Sequence, residues 1–441
     1  MDKYYILDKK IKMSKKMSSP LYAELLNGFT HASNNFSCEN SLPSLEISAG
    51  NPVSADLNGY EFVINITESG LYISADNFNS LVRGYLTMLD KIEYIDNHFV
   101  LKCGTYREKP KFDFRCVHIC VFPETTLDYL KKYVRVCGIA KYSHIILEFW
   151  GMYKFSFMKE LGWSHAYSKE DLKPVINDAK DLGMEVIPMF NMLGHAAQSR
   201  AIFGKHVVLD QNPALESLFM SDGWVWNFKN GSVYSIIQNA ISELCEICGD
   251  GGYFHIGCDE AIINNDFEGM CSYINKINSY LRSMGRRAIM WADMMLYDPN
   301  TVDFNAVSEE SAQLIINLLD KDIILGDWHY DFLEPDWKSS KKLKESGFDV
   351  TCSSWHNKVN VKATIDNIEM QKQFGFIHTT WHTMNMGFPA MVYGGMYSWG
   401  GKDISFNQWG SVFTQYVASL ARKCCPVNGN YTNSGWCEKQ I

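Results

Sequence analysis

Between residues 114 and 381 the chain repeats one unit: a short apolar run, a polar break, then a longer stretch with apolar residues three and four apart. The runs are FRCVHIC (114–120), SHIILEF (143–149), MEVIPMF (184–190), GYFHIG (252–257), AIMW (288–291), DIILGDW (322–328), DVTCSSW (349–355) and FIHTTW (376–381). The spacing between them is helical, as in Leu127, Leu130, Val134 and Cys137, or Val233, Ile237, Ala240, Ile241 and Leu244. Strands that alternate with helices predict an α/β protein with parallel pairing, and eight such units predict closure into a (β/α)8 TIM barrel. The last helix is expected over 407–423.

Upstream of the barrel the pattern differs. YEFVINI (60–66) and GLYISA (70–75) read as strands around the turn TESG, followed by an amphipathic helix over 79–92 and a strand over 98–103. This predicts a small N-terminal α+β domain over 1–108, joined through YREKPKFD (106–113) to a catalytic barrel over 109–425. Residues 426–441 have turn composition and read as a C-terminal tail.

Composition narrows the function. A formal charge of −9 with no long basic run argues against a nucleic-acid partner. The 46% hydrophobic and 14% aromatic content suits a large core. No run of about 18 apolar residues occurs, and the basic start lacks an apolar stretch of signal-peptide length. The expectation is a cytoplasmic protein with no membrane partner. Thirteen scattered cysteines fit a reducing compartment. The isolated C-x-x-C at Cys245 and Cys248 lacks the other two ligands of a structural zinc site and reads as buried thiols.

In a TIM barrel the reactive groups gather at the carboxyl edge of the strands. The residues that close the runs are therefore candidates: Arg115 near the first strand, Glu148 ending the second, Asn191 and His195 after the third, and Asp259 and Glu260 after the fourth. Trp291, Trp328, Trp355 and Trp381 close the last four. Flat aromatic walls combined with carboxylates, an arginine and an amide suit a sugar, whose faces are C–H and whose edge is hydroxyl. Adjacent carboxyls point in different directions, so Asp259 and Glu260 are expected to do different work.

These residues resemble a known family. HIGCDE (255–260) is similar to the H-x-G-G-D-E signature of family 20 glycoside hydrolases, the β-N-acetylhexosaminidases, and VIPMFNMLGH (186–195) to their I-P-E-x-D-x-P-G-H segment. MWADMM (290–295) resembles the family's strand-five element, which brings in Asp293. The LEF ending of strand two, DWHYD (327–331) and the cysteine of HIGCDE are closest to the hexosaminidase D-like branch. The resemblance implies an exo-acting enzyme that removes terminal β-linked GalNAc or GlcNAc with retention. Glu260 is then the general acid and base, and Asp259 orients the acetamido group, whose oxygen attacks the anomeric carbon to form an oxazolinium. Arg115, Glu148, Asn191, His195, Trp291, Asp293, Trp328, Trp355 and Trp381 are the implied substrate-binding set. Tyr330 is the candidate for polarising the acetamide, with Tyr393 and Tyr397 as alternatives. His195 stands in the acid's proton network, and His255 holds the strand end.

No cofactor and no metal are expected, and a homodimer is possible. The sequence departs from the family at Cys120, Asn191 and Cys258, and GGMYSWGG (394–401), read as the strand-eight end, lacks a glutamate for the sugar's outer hydroxyls. That departure predicts tolerance of an axial 4-hydroxyl. Two rival readings are a metal-dependent hydrolase, with His195, His255, Asp259, Glu260 and Glu148 as ligands, and a non-catalytic sugar-binding barrel. The first lacks the H-x-H of barrel metalloenzymes, since RCVHICVF has only His118.

Overall fold

Parallel strands buried on both faces need uninterrupted apolar runs, because helices cover the outside and side chains fill the inside. The computed structural model shows eight such strands, β8 (Phe114–Val121), β9 (His144–Phe149), β10 (Glu185–Met189), β11 (Tyr253–His255), β12 (Arg287–Trp291), β13 (Ile324–Trp328), β14 (Asp349–Ser354) and β15 (Gly375–Thr379), in one closed barrel. Every neighbouring pair in it is parallel. The structure describes residues 3–7, 17–30, 45–49, 57, 59–149, 151–196, 212–220, 223–301, 303–384, 387–401 and 412–425. The expected tail lies outside them, as does the start of the expected last helix, which is described over Thr414–Cys424.

The barrel interior is a packed column, not a channel. Phe114, Cys116, Ile146, Ile187, Met189, Ile289, Ile324 and Ile377 fill it, and Trp291 closes it above. Residues with polar caps start the crossover helices where the pattern predicts. Thr126 accepts from Tyr129 N–H at the start of Leu127–Ile139, and Ser168 and Asp171 form a reciprocal capping box at Lys169–Asp181.

The N-terminal part is an α+β unit. The hairpin β3 (Phe62–Thr67) and β4 (Gly70–Ala75) lies between β2 (Leu45–Ala49) and β7 (Gly104–Glu108), with the helix Phe78–Asp90 packed on the sheet. A second sheet orders β1 (Tyr4–Ile6), β6 (His98–Lys102) and β5 (Glu93–Ile95). Part of the expected connector is thus a strand, because residues 104–108 pair with β3. Arg83 of the helix donates to Gly183 O of the barrel, and Tyr22 to Asp181 O.

Candidate active site

At the carboxyl edge, sheet-like hydrogen bonding runs on past the strands. Phe190 N–H donates to His255 O at 3.1 Å and Met192 N–H to Ile256 O at 3.0 Å, so the segment after β10 travels beside the segment after β11. Two glycines permit the approach. A Cβ on Gly194 would lie 2.0 Å from Asp259 O, and one on Gly257 would lie 2.2 Å from Asn191 Oδ1. The glycine of each segment therefore touches the polar residue of the other, which is the physical content of both motifs.

The carboxyl pair meets His195 in this register. His195 Nε2 lies 3.1 Å from Asp259 Oδ2 and 3.1 Å from Glu260 Oε2. The two acids differ in environment, since the Asp259 side chain is 6% exposed and that of Glu260 is 45% exposed. His195, Cys258, Glu260 and Trp381 all take left-handed backbone angles, with φ of 55°, 74°, 50° and 41°. Each costs a non-glycine residue about 1–2 kcal/mol, and strain of this kind collects at functional sites.

Asp293 lies beneath the pair. Its Oδ2 accepts Glu260 N–H at 2.9 Å and the Asn305 amide at 2.9 Å, and the Trp328 indole donates to Oδ1 at 3.5 Å. Burial, then the Asp259 charge, pushes the Asp293 carboxyl up to about 7. It holds the backbone of the acid in place.

The aromatic residues separate into floor and wall. Trp291 is wholly buried, its ring 4.4 Å from His255 and 5.7 Å from Trp381, so it is a floor and not part of the rim. Trp328, Tyr330, Trp355 and Trp381 are half-buried, and Tyr330 touches each of the three tryptophans. The Tyr330 ring stacks on Trp328 at 5.4 Å, meets Trp355 at 5.4 Å, and its hydroxyl accepts from Trp381 Nε1 at 2.8 Å. Burial and the nearby Asp259 charge push that hydroxyl far above the usual phenol range, so it remains a proton donor. Tyr393 and Tyr397 lie on the outer helix Phe388–Ser398, where Tyr397 donates to Asp366, and take no part in this group.

On the other side Glu148 is buried and accepts from His118 Nε2 at 2.8 Å, Cys120 Sγ at 3.2 Å and the Asn191 amide. His255 accepts Gly257 N–H through Nδ1 at 3.1 Å, which braces the strand end.

Two expectations are corrected. Arg115 is the second residue of β8, paired with Phe376, whereas Cys120 is the residue that pairs with Glu148. Five residues of strand place Arg115 about 16 Å away, at the amino edge. There its guanidinium donates to Phe112 O, Asp113 O and Lys141 O and lies over Trp399. It also lines a cavity of about 550 Å³ with Arg83, His144 and Glu185, none of which belongs to the carboxyl-edge group. The segment YSWGG begins in the last two residues of the outer helix and runs on at that same edge, so the residues that follow strand eight at the carboxyl edge are Thr380, Trp381 and His382.

Sequence reasoning missed two tryptophans and an asparagine. Trp224 Nε1 donates to Glu260 O, its ring lies 4.0 Å from His195, and Trp226 Nε1 donates to Asn191 O. The W-x-W within the polar stretch SDGWVWNF was the available signal, because buried indoles seek acceptors. Asn305 had none.

A barrel with a histidine-bridged carboxyl pair and an aromatic group at its carboxyl edge belongs to the class of carbohydrate-active barrels. The model of the glycosyl hydrolase family 20 catalytic domain matches residues 138–384, more than half of the chain. The chain belongs to glycoside hydrolase family 20.

Among curated relatives, β-hexosaminidase subunit A1 of Dictyostelium discoideum is 22% identical over 361 residues, covering 73% of this chain and 65% of that protein. Lacto-N-biosidase of Bifidobacterium bifidum is 20% identical over 298 residues, 62% of this chain and 24% of that protein. The chain thus spans under two thirds of either relative. The fold is similar to that of the exo β-N-acetylglucosaminidase from Vibrio harveyi solved with N-acetylglucosamine, with a TM-score of 0.69, 14% identity, and 97% of this chain and 76% of that one covered. It is also similar to the β-N-acetylhexosaminidase from Bacteroides fragilis, with a TM-score of 0.66, 16% identity, and 95% and 92% covered.

Proposed function

We propose that this chain is an exo-acting β-N-acetylhexosaminidase that removes terminal β-linked GalNAc or GlcNAc by substrate-assisted, retaining hydrolysis. The observation that carries the reading is the division of the carboxyl pair. Asp259 is buried and its charge reaches the Tyr330 hydroxyl, Glu260 is half open to solvent, and His195 touches both.

In the first step the Glu260 carboxyl protonates the glycosidic oxygen as the bond from that oxygen to the anomeric carbon breaks. The acetamide oxygen forms a bond to the same carbon from the opposite face, and the oxazolinium carries the positive charge. Asp259 accepts the acetamide N–H and stabilises that charge as it develops, in a site where burial strengthens the interaction. The Tyr330 hydroxyl donates to the acetamide oxygen and orients it. In the second step the Glu260 carboxylate takes a proton from water as the water oxygen bonds to the anomeric carbon and the bond from that carbon to the acetamide oxygen breaks, which restores the acetamide. The nucleophile is tethered to the reacting carbon, so attack gains the effective concentration of a positioned group.

Glu148 and Asn191 stand at the opposite side to meet the outer hydroxyls. Strand eight ends at Thr379 and is followed by Thr380, Trp381 and His382, none of them a carboxylate, which supports tolerance of both configurations at the 4-position. The test is hydrolysis of nitrophenyl β-GlcNAc, β-GalNAc and β-galactoside by purified protein, with a GlcNAc-thiazoline as inhibitor. Both acetamido sugars should be cleaved, the galactoside should be inert, and the thiazoline should inhibit strongly. Efficient cleavage of the plain galactoside would sink the mechanism.

A further inference from the structure

Barrel metalloenzymes often present two ligands from alternate positions of strand one, where both side chains point inward. Residues 118 and 120 occupy such positions here, with cysteine in the second place. On the neighbouring strand Glu148 lies in register with Cys120. The three donor atoms converge: His118 Nε2 and Glu148 Oε2 are 2.8 Å apart, Cys120 Sγ and Glu148 Oε2 3.2 Å, and Cys120 Sγ and His118 Nε2 3.7 Å. Among the described residues this is the group of histidine, cysteine and carboxylate side chains close enough to share one ion.

We propose that His118, Cys120 and Glu148 form a binding site for a thiophilic divalent cation, of which Zn²⁺ is the natural probe. A tetrahedral zinc with one nitrogen, one sulfur and one oxygen ligand separates those atoms by about 3.3–3.6 Å, so each donor need move only a few tenths of an ångström. Glu148 is already oriented for the task. Its Oε1 is held by the Asn191 amide while Oε2 faces the other two donors, the arrangement by which an outer partner aims a ligating carboxylate. Three protein ligands leave a fourth position for water, as in open zinc sites.

Binding is proton-coupled. The thiol of Cys120 loses its proton to solvent and becomes the thiolate ligand, and the His118 proton moves from Nε2 to Nδ1 so that Nε2 can donate its lone pair. Among the described residues the buried Nδ1 atom has no hydrogen-bond partner, which holds the affinity below that of a closed four-ligand site. An ion here engages Glu148, so under the reading of the preceding subsection it also inhibits. The binding itself stands apart from that reading and is measured without sugar.

The experiment uses the full chain stripped with a chelator and titrated with Zn²⁺, then with Co²⁺ as a spectroscopic substitute. Expected are one ion per chain and a thiolate-to-cobalt band in the near-ultraviolet. The band should vanish in Cys120→Ser and survive in a Cys245→Ser, Cys248→Ser double variant. Asn191→Ala should keep the band but weaken the ion's binding about tenfold or more, as removal of an outer partner does. Should Cys120→Ser fail to fold, X-ray absorption of the zinc-loaded wild type decides, with one sulfur among nitrogen and oxygen neighbours expected. No stoichiometric uptake, two sulfurs at the metal, or a band lost in the Cys245 and Cys248 variant would overturn the proposal.

Discussion

Replacing Gly194 by alanine adds one methyl group and asks how much of the site depends on two loops touching. Gly194 is not among the glycines with positive φ, so alanine meets no backbone penalty there. Its Cβ would instead lie 2.0 Å from the carbonyl oxygen of Asp259 and 3.3 Å from Ala261 N. Ordinary contact for such a pair is about 3.4 Å, so the segments must part by about 1.4 Å, and overpacking of this kind costs roughly 1–3 kcal/mol. Asp259 rides on the displaced backbone, and His195 follows Gly194 directly. Their contact of 3.1 Å is therefore broken or turned. A misplacement of about 1 Å at a reacting group costs on the order of 100-fold in rate. The assay is kcat/KM on nitrophenyl β-GlcNAc, with thermal unfolding to show that the variant is folded. A folded variant with kcat/KM within threefold of wild type would show that the loop contact does not set the catalytic geometry.

Three further outcomes are expected. Asp293 holds its proton to about 7 in the folded chain, and the unfolded carboxyl releases it near the ordinary value of about 4, so stability falls as pH rises between the two. Asp293→Asn imitates the protonated form and should flatten that slope in urea unfolding, by on the order of 1.4 kcal/mol per pKa unit removed; an unchanged slope would show that Asp293 is already ionised across the window. Trp381→Ala removes both a wall of the aromatic group and the donor to Tyr330 and should lower kcat/KM about 10–100-fold, or roughly 1–3 kcal/mol; unchanged kinetics would take that ring out of the site. Arg115→Met should lower the melting temperature, since three carbonyls lose a donor worth about 1 kcal/mol or more each, yet leave KM alone; a raised KM would return Arg115 to substrate.

Much of this molecule was legible before any coordinates. The eight runs predicted the barrel because burial on both faces demands continuous apolar sequence, and that signature is local. HIGCDE and NMLGH marked the two segments that approach one another, since glycine beside polar residues at a strand end is also a local signal. Strand boundaries likewise placed Trp328, Trp355 and Trp381 at the carboxyl edge.

Only the tertiary structure decided what faces what. Arg115 and Cys120 share one run, yet they serve opposite ends of the barrel, because eight residues of strand span its full depth. Trp291 ends its strand as Trp328 does, but the closure of the barrel turns one ring into the floor and leaves the other half open. The roles of Trp224, Asn305 and the paired His118 and Cys120 rest on partners 12 to 36 residues away, among them Glu260 O for Trp224, Asp293 for Asn305 and Glu148 for the strand-one pair. Periodicity reports which face of an element is buried. The identity of the atom across from it depends on register and on closure of the barrel, and these are set by the sum of all eight strand pairings, which no single stretch of sequence contains.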